Sequence, residues 1–465
     1  MPRRSRSYKP LSQEEPVLAH IESLSHDGRG VAHINGKAVF IEGALPGEQV
    51  LFTYIKQRKR YDEAKVEKII KPSPDRVEPR CAHFNICGGC SLQHLSPTAQ
   101  IAAKQQVLLD SLKHIGGIEP KTVLAPLTGP SWGYRRRARL GVKFVIKKDK
   151  LLIGFREKRS SLLADIGRCE VLHPPVGGLL PALRELIAGL EAYDCIPQIE
   201  VAAGDEATAL VFRNLAELSN TDLVKLQDFG KQQNMQIYLQ PAGPDSVTLI
   251  WPETAALSYR LPVTYRDVLM SREAGRRERQ FNLELFFSPA DFVQINADVN
   301  RAMISRVIEL LQPGAHERVL DLFCGLGNFT LPLARHAAQV TGVEGEAKLI
   351  QRAQDNAQRN GIHNAEFYAA DLSQDLSGQP WAKQRFDKIL LDPPRTGALE
   401  IMQQLPAFDA ARIVYVSCNP ATLARDARAL TENGYTLMSA GVLDMFPHTT
   451  HVESIALFEK CENSG

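Results

Sequence analysis

Long apolar runs are missing from this 465-residue chain: no stretch approaches the ~18 uninterrupted apolar residues a membrane helix needs. The basic start, MPRRSR, has no apolar segment behind it, so no secretory signal is expected and the expected compartment is the cytoplasm. No internal repeat is evident, and the composition excludes collagen, coiled coil, a disordered tail and a secreted disulfide scaffold. Net charge is small as well, +2 from 55 basic and 53 acidic residues. What remains is a cytoplasmic enzyme or multidomain binder of roughly three domains, with an ordinary 44% of hydrophobic residues.

Charge is scarce in total but unevenly spread. Residues 56–60, KQRKR, carry four basic side chains in five, and residues 134–160 hold eleven basic residues against two acidic ones. Such clusters raise a local positive potential that attracts phosphate backbones whatever the total charge. Tyr54, Tyr61, Tyr134, Phe144 and Phe155 are interleaved with them as candidate base-stacking surfaces. The combination points to RNA or single strands.

Three of the eight cysteines crowd together in CAHFNICGGC, a C-x5-C-x2-C run of Cys81, Cys87 and Cys90. In a reducing compartment such a cluster suggests metal rather than disulfides. Gly88 and Gly89 let the backbone fold tightly enough for thiolates to converge, and Cys169 in IGRCEVLHP is the best-placed fourth ligand. Zinc and [4Fe–4S] both accept four thiolates, and spacing does not choose between them.

The chain reads as three regions. Residues 12–75 hold several short strands, with Asn35-Gly36 between alternating apolar residues as a hairpin signal, and fit an all-β, OB-like RNA-binding barrel. Residues 76–285 read as a central α+β domain with the cysteines and the basic stretch, including a helix that opens at Ser96-Pro97 and closes at Gly116-Gly117. Residues 286–465 alternate strand and helix, the pattern of a Rossmann-like, doubly wound α/β domain with a parallel sheet. Its motifs all fall at the carboxyl ends of the expected strands, where ligands of such sheets bind.

In DLFCGLGNFT, Gly325 and Gly327 permit close backbone approach to a ligand, but Thr330 stands where a dinucleotide site usually has a third glycine. Glu344, at the end of the next strand, is placed to accept both ribose hydroxyls, and Asp371, at the end of the third, to hold an adenine amino group. A nucleoside ligand without pyrophosphate is S-adenosylmethionine.

Two further motifs carry reacting groups. Asp392-Pro393-Pro394-Arg395 ends the fourth strand; an aromatic residue in place of Arg395 would favour an exocyclic amine as methyl acceptor. Ser417-Cys418-Asn419-Pro420 ends the fifth, so that a thiolate faces cofactor and substrate alike. Beside a methyl sulfonium, a thiolate serves a pyrimidine: added to C6, it makes C5 nucleophilic, and a base must later remove the C5 proton. Cytosine C5 enzymes acting on RNA usually show a Pro-Cys on the fourth strand, where Pro393-Pro394 stands here, which favours uracil. Spacing leaves the base open among His448, His451 and Glu453.

SHDGRG, NGKAVFIEGALPGE, the cysteine run, FSPADFVQIN, DLFCGLGNF, LDPPR, SCNP and HVESIALF together resemble the bacterial RNA uracil-5 methyltransferase family, in order from about residue 15 to 460. The resemblance implies that the first region is a TRAM domain and that Cys81, Cys87, Cys90 and Cys169 hold a [4Fe–4S] cluster. It implies S-adenosylmethionine contacts at Gln294, Phe323, Asn328, Glu344, Asp371 and Asp392, with Cys418 as nucleophile and Glu453 as general base. Having both barrel and cluster makes the chain similar to the branch acting on uridine 1939 of 23S rRNA. The alternatives are another rRNA or tRNA uridine, or an inactive RNA-binding iron–sulfur protein. A monomer is expected.

Overall fold

The computed structural model describes residues 15–262 and 281–461, which form two compact units. The parts of the expected domains at 12–14, 263–280 and 462–465 lie outside the described residues. The first unit takes in residues up to 84, 90–103 and 448–450; the second takes in 85–89, 104–447 and 451 onward.

In the first unit six strands pair in the order Val17–His20, Gln49–Gln57, Tyr61–Lys71, Lys37–Glu42, Gly30–Ile34, Ser23–Leu24. Only Lys37–Glu42 with Tyr61–Lys71 is parallel. Asn35 and Gly36 both take positive φ, 51° and 79°, the geometry a two-residue hairpin requires. Alternate side chains (Val39, Ile41, Val50 and Phe52) turn into one core with Ile21 and Ala64. Gly30 is tied to that core, because a Cβ there would sit 2.8 Å from both Ala44 and Ile21. Glu48, fully buried, accepts the N–H groups of Leu45 and Ser73 and pairs with Arg76 at 2.6 Å.

The second unit contains two large sheets. One has the order Thr248–Trp251, Gln236–Gln240, Thr208–Arg213, Gln198–Ala203, Arg137–Val145, Lys150–Gly154, antiparallel except for the central Thr208–Arg213 with Gln236–Gln240. Helices Leu180–Ala188 and Asn220–Gln233 bury Leu183, Ile187, Leu226 and Phe229 in the core beneath it. This is the α+β arrangement expected from the sequence.

The other sheet has eight strands, in the order Ala365–Ala369, Gln339–Glu344, Arg318–Leu322, Lys388–Leu391, Arg412–Ser417, Glu453–Lys460, Tyr435–Leu443, Thr122–Val123. The first five are parallel, and the central ones, Arg318–Leu322, Lys388–Leu391 and Arg412–Ser417, are buried almost throughout, whereas the edge strand Ala365–Ala369 is not. Glu453–Lys460 departs from the expected parallel sheet: it runs antiparallel to Arg412–Ser417 and to Tyr435–Leu443. The helix expected at Ser96-Pro97 spans Pro97–Ser111, widens to a π-turn over Leu112–Gly116, and stops at Gly117 with φ 65°. Gly116 has no room for a side chain, since a Cβ would lie 2.9 Å from the Ala424 carbonyl.

Candidate active site

Parallel strands deliver their carboxyl ends to one edge, and the antiparallel strand delivers its beginning to the same edge. That inversion builds the site. Ser417 pairs with Ser454, and the Ser454 hydroxyl donates to the Ser417 carbonyl at 3.1 Å. Continuing the register by one residue sets Cys418 opposite Glu453, 35 residues later in the chain. Glu453 is only 4% exposed, and no cation pairs with it among the described residues. Burial, and then the charge of Asp392, push its carboxyl well above the ordinary range. Burial does the same to the Cys418 thiol, pushed up to about 11, with Glu453 and Asp392 adding to the shift and Arg395 opposing it. Asp392 itself is pushed up to about 7 by burial. Asp392 thus raises the basicity of Glu453, and both acids raise that of Cys418, at one edge of the sheet.

The loops carrying these groups are tied to one another. Asp426, buried in the middle of helix Pro420–Glu432, accepts the Ala398 N–H and the Tyr415 hydroxyl, each at 2.7 Å. Arg425 donates to Asp426 at 2.8 Å and to the Thr396 carbonyl at 3.0 Å. The Asn419 amide donates to the Arg395 carbonyl at 3.0 Å while its oxygen caps the helix through the Ala421 N–H. The turn after Asp392-Pro393-Pro394-Arg395 is thereby fixed to the helix that follows Cys418. Gly397, with φ 79°, lets the chain pass there, because a side chain would collide with Asp426 at 2.5 Å.

Glu344 ends the second strand and accepts the N–H groups of Gly325 at 3.2 Å and Gly345 at 2.8 Å, which orients it toward the glycine loop. Phe323 takes a left-handed φ of 67° and bonds back to Val343, while Gly325 and Gly327 hold φ of 55° and 94°. Asp371 lies two residues beyond its strand; Ser373 hydrogen bonds hold its exposed carboxyl below the ordinary range. Gln294 is partly exposed just before helix Ala297–Leu311. Asn328 is more engaged than its sequence position suggested: it exchanges two amide hydrogen bonds with Asn300 and accepts the Tyr259 hydroxyl, all at 3.0 Å. Asp321, fully buried beneath this loop, is pushed up to about 7 by burial although the Thr330 hydroxyl bonds to it.

Other expectations fare unevenly. Tyr134 is no stacking surface: it is 6% exposed and its hydroxyl donates to the Pro447 carbonyl at 3.0 Å. Phe144 and Phe155 lean on the core of the central sheet. Several basic residues of 134–160 are neutralised by acids from other elements: Arg136 by Asp205, Arg139 by Glu200, Lys150 by Asp165. His448 is buried in the first unit, where its N–H donates to Gln100 at 2.8 Å. His451 is exposed; burial of part of its ring, Arg395 and Lys104 lower its pKa.

Cys81, Cys87, Cys90 and Cys169 form no disulfide among the described residues. Cys87 and Cys169 pack against one core in the second unit, and Cys90 is buried in the first. The Gly88 N–H donates to the Arg156 carbonyl at 2.8 Å, and a Cβ at Gly88 would meet that carbonyl at 3.0 Å, so the glycine serves the tight path of the run. Among the described residues no group of three or more His, Cys, Asp or Glu side chains is arranged to hold a metal ion. The donor chemistry, four thiols, fits iron–sulfur or zinc alike. Asp426, Asp321 and the buried Lys104–Asp444 pair at 2.7 Å were missed by sequence reasoning; a charged residue on the apolar face of the helix was the available signal for Asp426.

The family described as tRNA (Uracil-5-)-methyltransferase matches residues 276–461, and the TRAM domain matches residues 14–52. A protein of Nitrosococcus oceani named 23S rRNA (uracil(1939)-C(5))-methyltransferase RlmD is 56% identical, covering 97% of this chain and 98% of its own. One of the same name from Methylococcus capsulatus is 53% identical with the same shares. The crystal structure of Pyrococcus abyssi tRNA (uracil-54, C5)-methyltransferase with S-adenosyl-L-homocysteine superposes with a TM-score of 0.70 at 24% identity, over 95% of this chain and 100% of that one. It shares the fold. No helix among the described residues is long and apolar enough to cross a membrane.

Proposed function

Because this chain belongs to the RNA uracil-5 methyltransferase family, alongside the RlmD enzymes, we propose that it methylates C5 of uridine 1939 in 23S rRNA, using S-adenosylmethionine as donor, in the cytoplasm. The observation that carries the reading is the strand register that sets Glu453 opposite Cys418 beside Asp392. Cys418 loses its proton to a neighbouring base as its sulfur bonds to C6 of the uracil, and the electron pair moves to C5 and O4. C5 then takes the methyl group, and the sulfonium departs as a neutral thioether. Glu453, made strongly basic by burial, removes the C5 proton; the ring regains its double bond and the Cys418 thiolate leaves.

Gln294, Phe323, Asn328, Glu344, Asp371 and Asp392 form the donor site in this reading. The orientation of Glu344 by the glycine-loop N–H supports a ribose contact. For Asn328 the support is weaker on the side-chain amide, which Asn300 occupies on both its donor and acceptor, than on the backbone of the loop. Cys81, Cys87, Cys90 and Cys169 would hold a [4Fe–4S] cluster. The domains divide functionally as 12–75 for RNA capture, 76–285 for RNA positioning and 286–465 for catalysis, in a monomer.

RNA containing 5-fluorouridine at the target tests the reading, since fluorine cannot leave as a proton would. The wild type is expected to form a covalent adduct that survives denaturation, and Cys418→Ala to lose both adduct and methyl transfer. Methylation retained by Cys418→Ala, or a wild type that leaves 23S rRNA unmethylated, would overturn it.

A further inference from the structure

A cavity lies on the Thr248–Trp251 to Lys150–Gly154 sheet of the second unit, on strands that carry none of the catalytic groups. It encloses about 260 Å³ and is lined by Arg137, Arg139, Arg213, Gln198, Gln240 and Glu200, with Val211, Val247, Pro244 and Pro289 among its apolar walls. Its polar groups are disposed unequally. Glu200 is the one acid: it accepts Arg139 Nε at 3.1 Å and Gln198 Nε2 at 2.9 Å, while Arg137 Nη2 stands off at 3.9 Å. The carboxylate therefore neutralises Arg139 alone; the charge of Asp291 also reaches Arg137, and three guanidiniums still line the cavity against one lining acid. Arg137 Nη1 is buried and has no hydrogen-bond partner among the described residues, as is true of Nε in Arg184 and Arg318. Arg213 and Gln240 make no side-chain hydrogen bond or ion pair among the described residues.

Three guanidiniums lining one small cavity raise a positive potential there, and Arg213 on its exposed side is unpaired among the described residues, so the cavity favours an anion. The shape narrows the class. Arginines alone suit a phosphate, but here two carboxamides and a proline–valine wall stand with them, which is what an unstacked base needs for its edge and its face. The rim residues Pro289 and Ala290 belong to the segment that ends in Gln294, so the cavity and the donor site share a stretch of backbone.

We propose that this cavity takes a second, extruded nucleotide of the substrate RNA, its phosphate on Arg137 and Arg213 and its base against Gln198 and Gln240. The inference rests on the reading that RNA is the substrate. Seating a neighbouring nucleotide here would hold the strand open while the target uridine occupies the catalytic edge. Specificity would then come from a base the enzyme does not modify.

The test measures binding of a fluorescein-labelled 23S rRNA fragment spanning the target, by anisotropy at several salt concentrations. Arg137→Gln with Arg213→Gln should weaken binding about tenfold or more and flatten the salt slope by about 0.7 for each phosphate left unpaired. Ala242→Trp, which fills the cavity from an exposed rim position without altering charge, should weaken binding with the salt slope unchanged. Wild-type affinity in both variants overturns the proposal, as does displacement of the RNA by millimolar adenosine or uridine monophosphate, which would give the cavity to a free nucleotide. Arg213→Gln alone, on an exposed side chain, separates a weakened RNA grip from a failure to fold. The 5-fluorouridine adduct of the wild type on the same fragment keeps the two readings apart: adduct with no effect of the variants removes the cavity alone, whereas no adduct removes the reading of the catalytic edge.

Discussion

Glu48 and Glu453 are both buried glutamates, 0% and 4% exposed, and they are driven in opposite directions. Burial favours the neutral form of each. Around Glu48, however, Arg76 and the N–H groups of Leu45 and Ser73 outweigh burial and hold the carboxyl below its ordinary range. Glu453 has no such company; burial and the like charge of Asp392 act together and raise it. One carboxylate is satisfied and ties a turn to a linker, whereas the other makes no side-chain hydrogen bond or ion pair among the described residues and lies beside a thiol. Burial alone therefore does not distinguish a structural acid from a reactive one; the partners do.

The largest test of this contrast is Glu453→Gln. Removing the base should cut turnover by at least about 10²-fold while the covalent RNA adduct still forms and accumulates, as seen on denaturing gels. Thermal melting should move the other way. Glu453 has a folded-state pKa above its unfolded one, so its stabilising contribution is fully present below about 4.5 and is lost as pH rises through the raised value. The glutamine variant should therefore melt above the wild type at neutral pH, and the gap should close in acid.

Glu48→Gln should behave as the mirror image. It leaves Arg76 without its carboxylate and costs about 2 kcal/mol of stability at neutral pH, read from denaturant unfolding. With a folded-state pKa below the unfolded one, the wild-type advantage is present above about 4.5 and is lost as pH falls through the lowered value. A deficit that persists undiminished in acid would show that packing, and not charge, makes the difference.

The smallest effect is expected at Asp426, a third buried acid, which sits between the two cases. It is satisfied like Glu48 yet serves the catalytic loops. Asp426→Asn keeps its size but loses an acceptor for Ala398, Tyr415 or Arg425, at about 1 kcal/mol in stability. Because those bonds fix the turn after Asp392 to the helix after Cys418, kcat should fall while RNA affinity is unchanged. Equal loss in both would mean that Asp426 only holds the fold.

Much of the catalytic edge is legible in the order of amino acids. Glycine loops, prolines and apolar runs are local signals, and Gly325, Asp392, Cys418 and the Asn35-Gly36 turn declare themselves because their conformations depend on neighbours in sequence. The four cysteines are legible for the same reason as residue types, but not as a geometry. Tyr134 was misread because alternation in a basic strand says which residues share a face, not what covers that face. Asp426 was missed because a lone acid in an amphipathic helix is usually solvated.

By itself the amino-acid order settled the strand–helix alternation of the last region, the turn at Asn35-Gly36, the helix opening at Ser96-Pro97 and which side chains carry reactive chemistry. Only the tertiary structure decided that Glu453, rather than a neighbouring histidine, stands opposite Cys418, and that Arg137 keeps an open donor beside Glu200. The reason is physical. Propensity and capping act over a few residues, but the reversal of one strand and the burial of a charge are fixed by partners tens or hundreds of residues away, and through them by the dielectric they create.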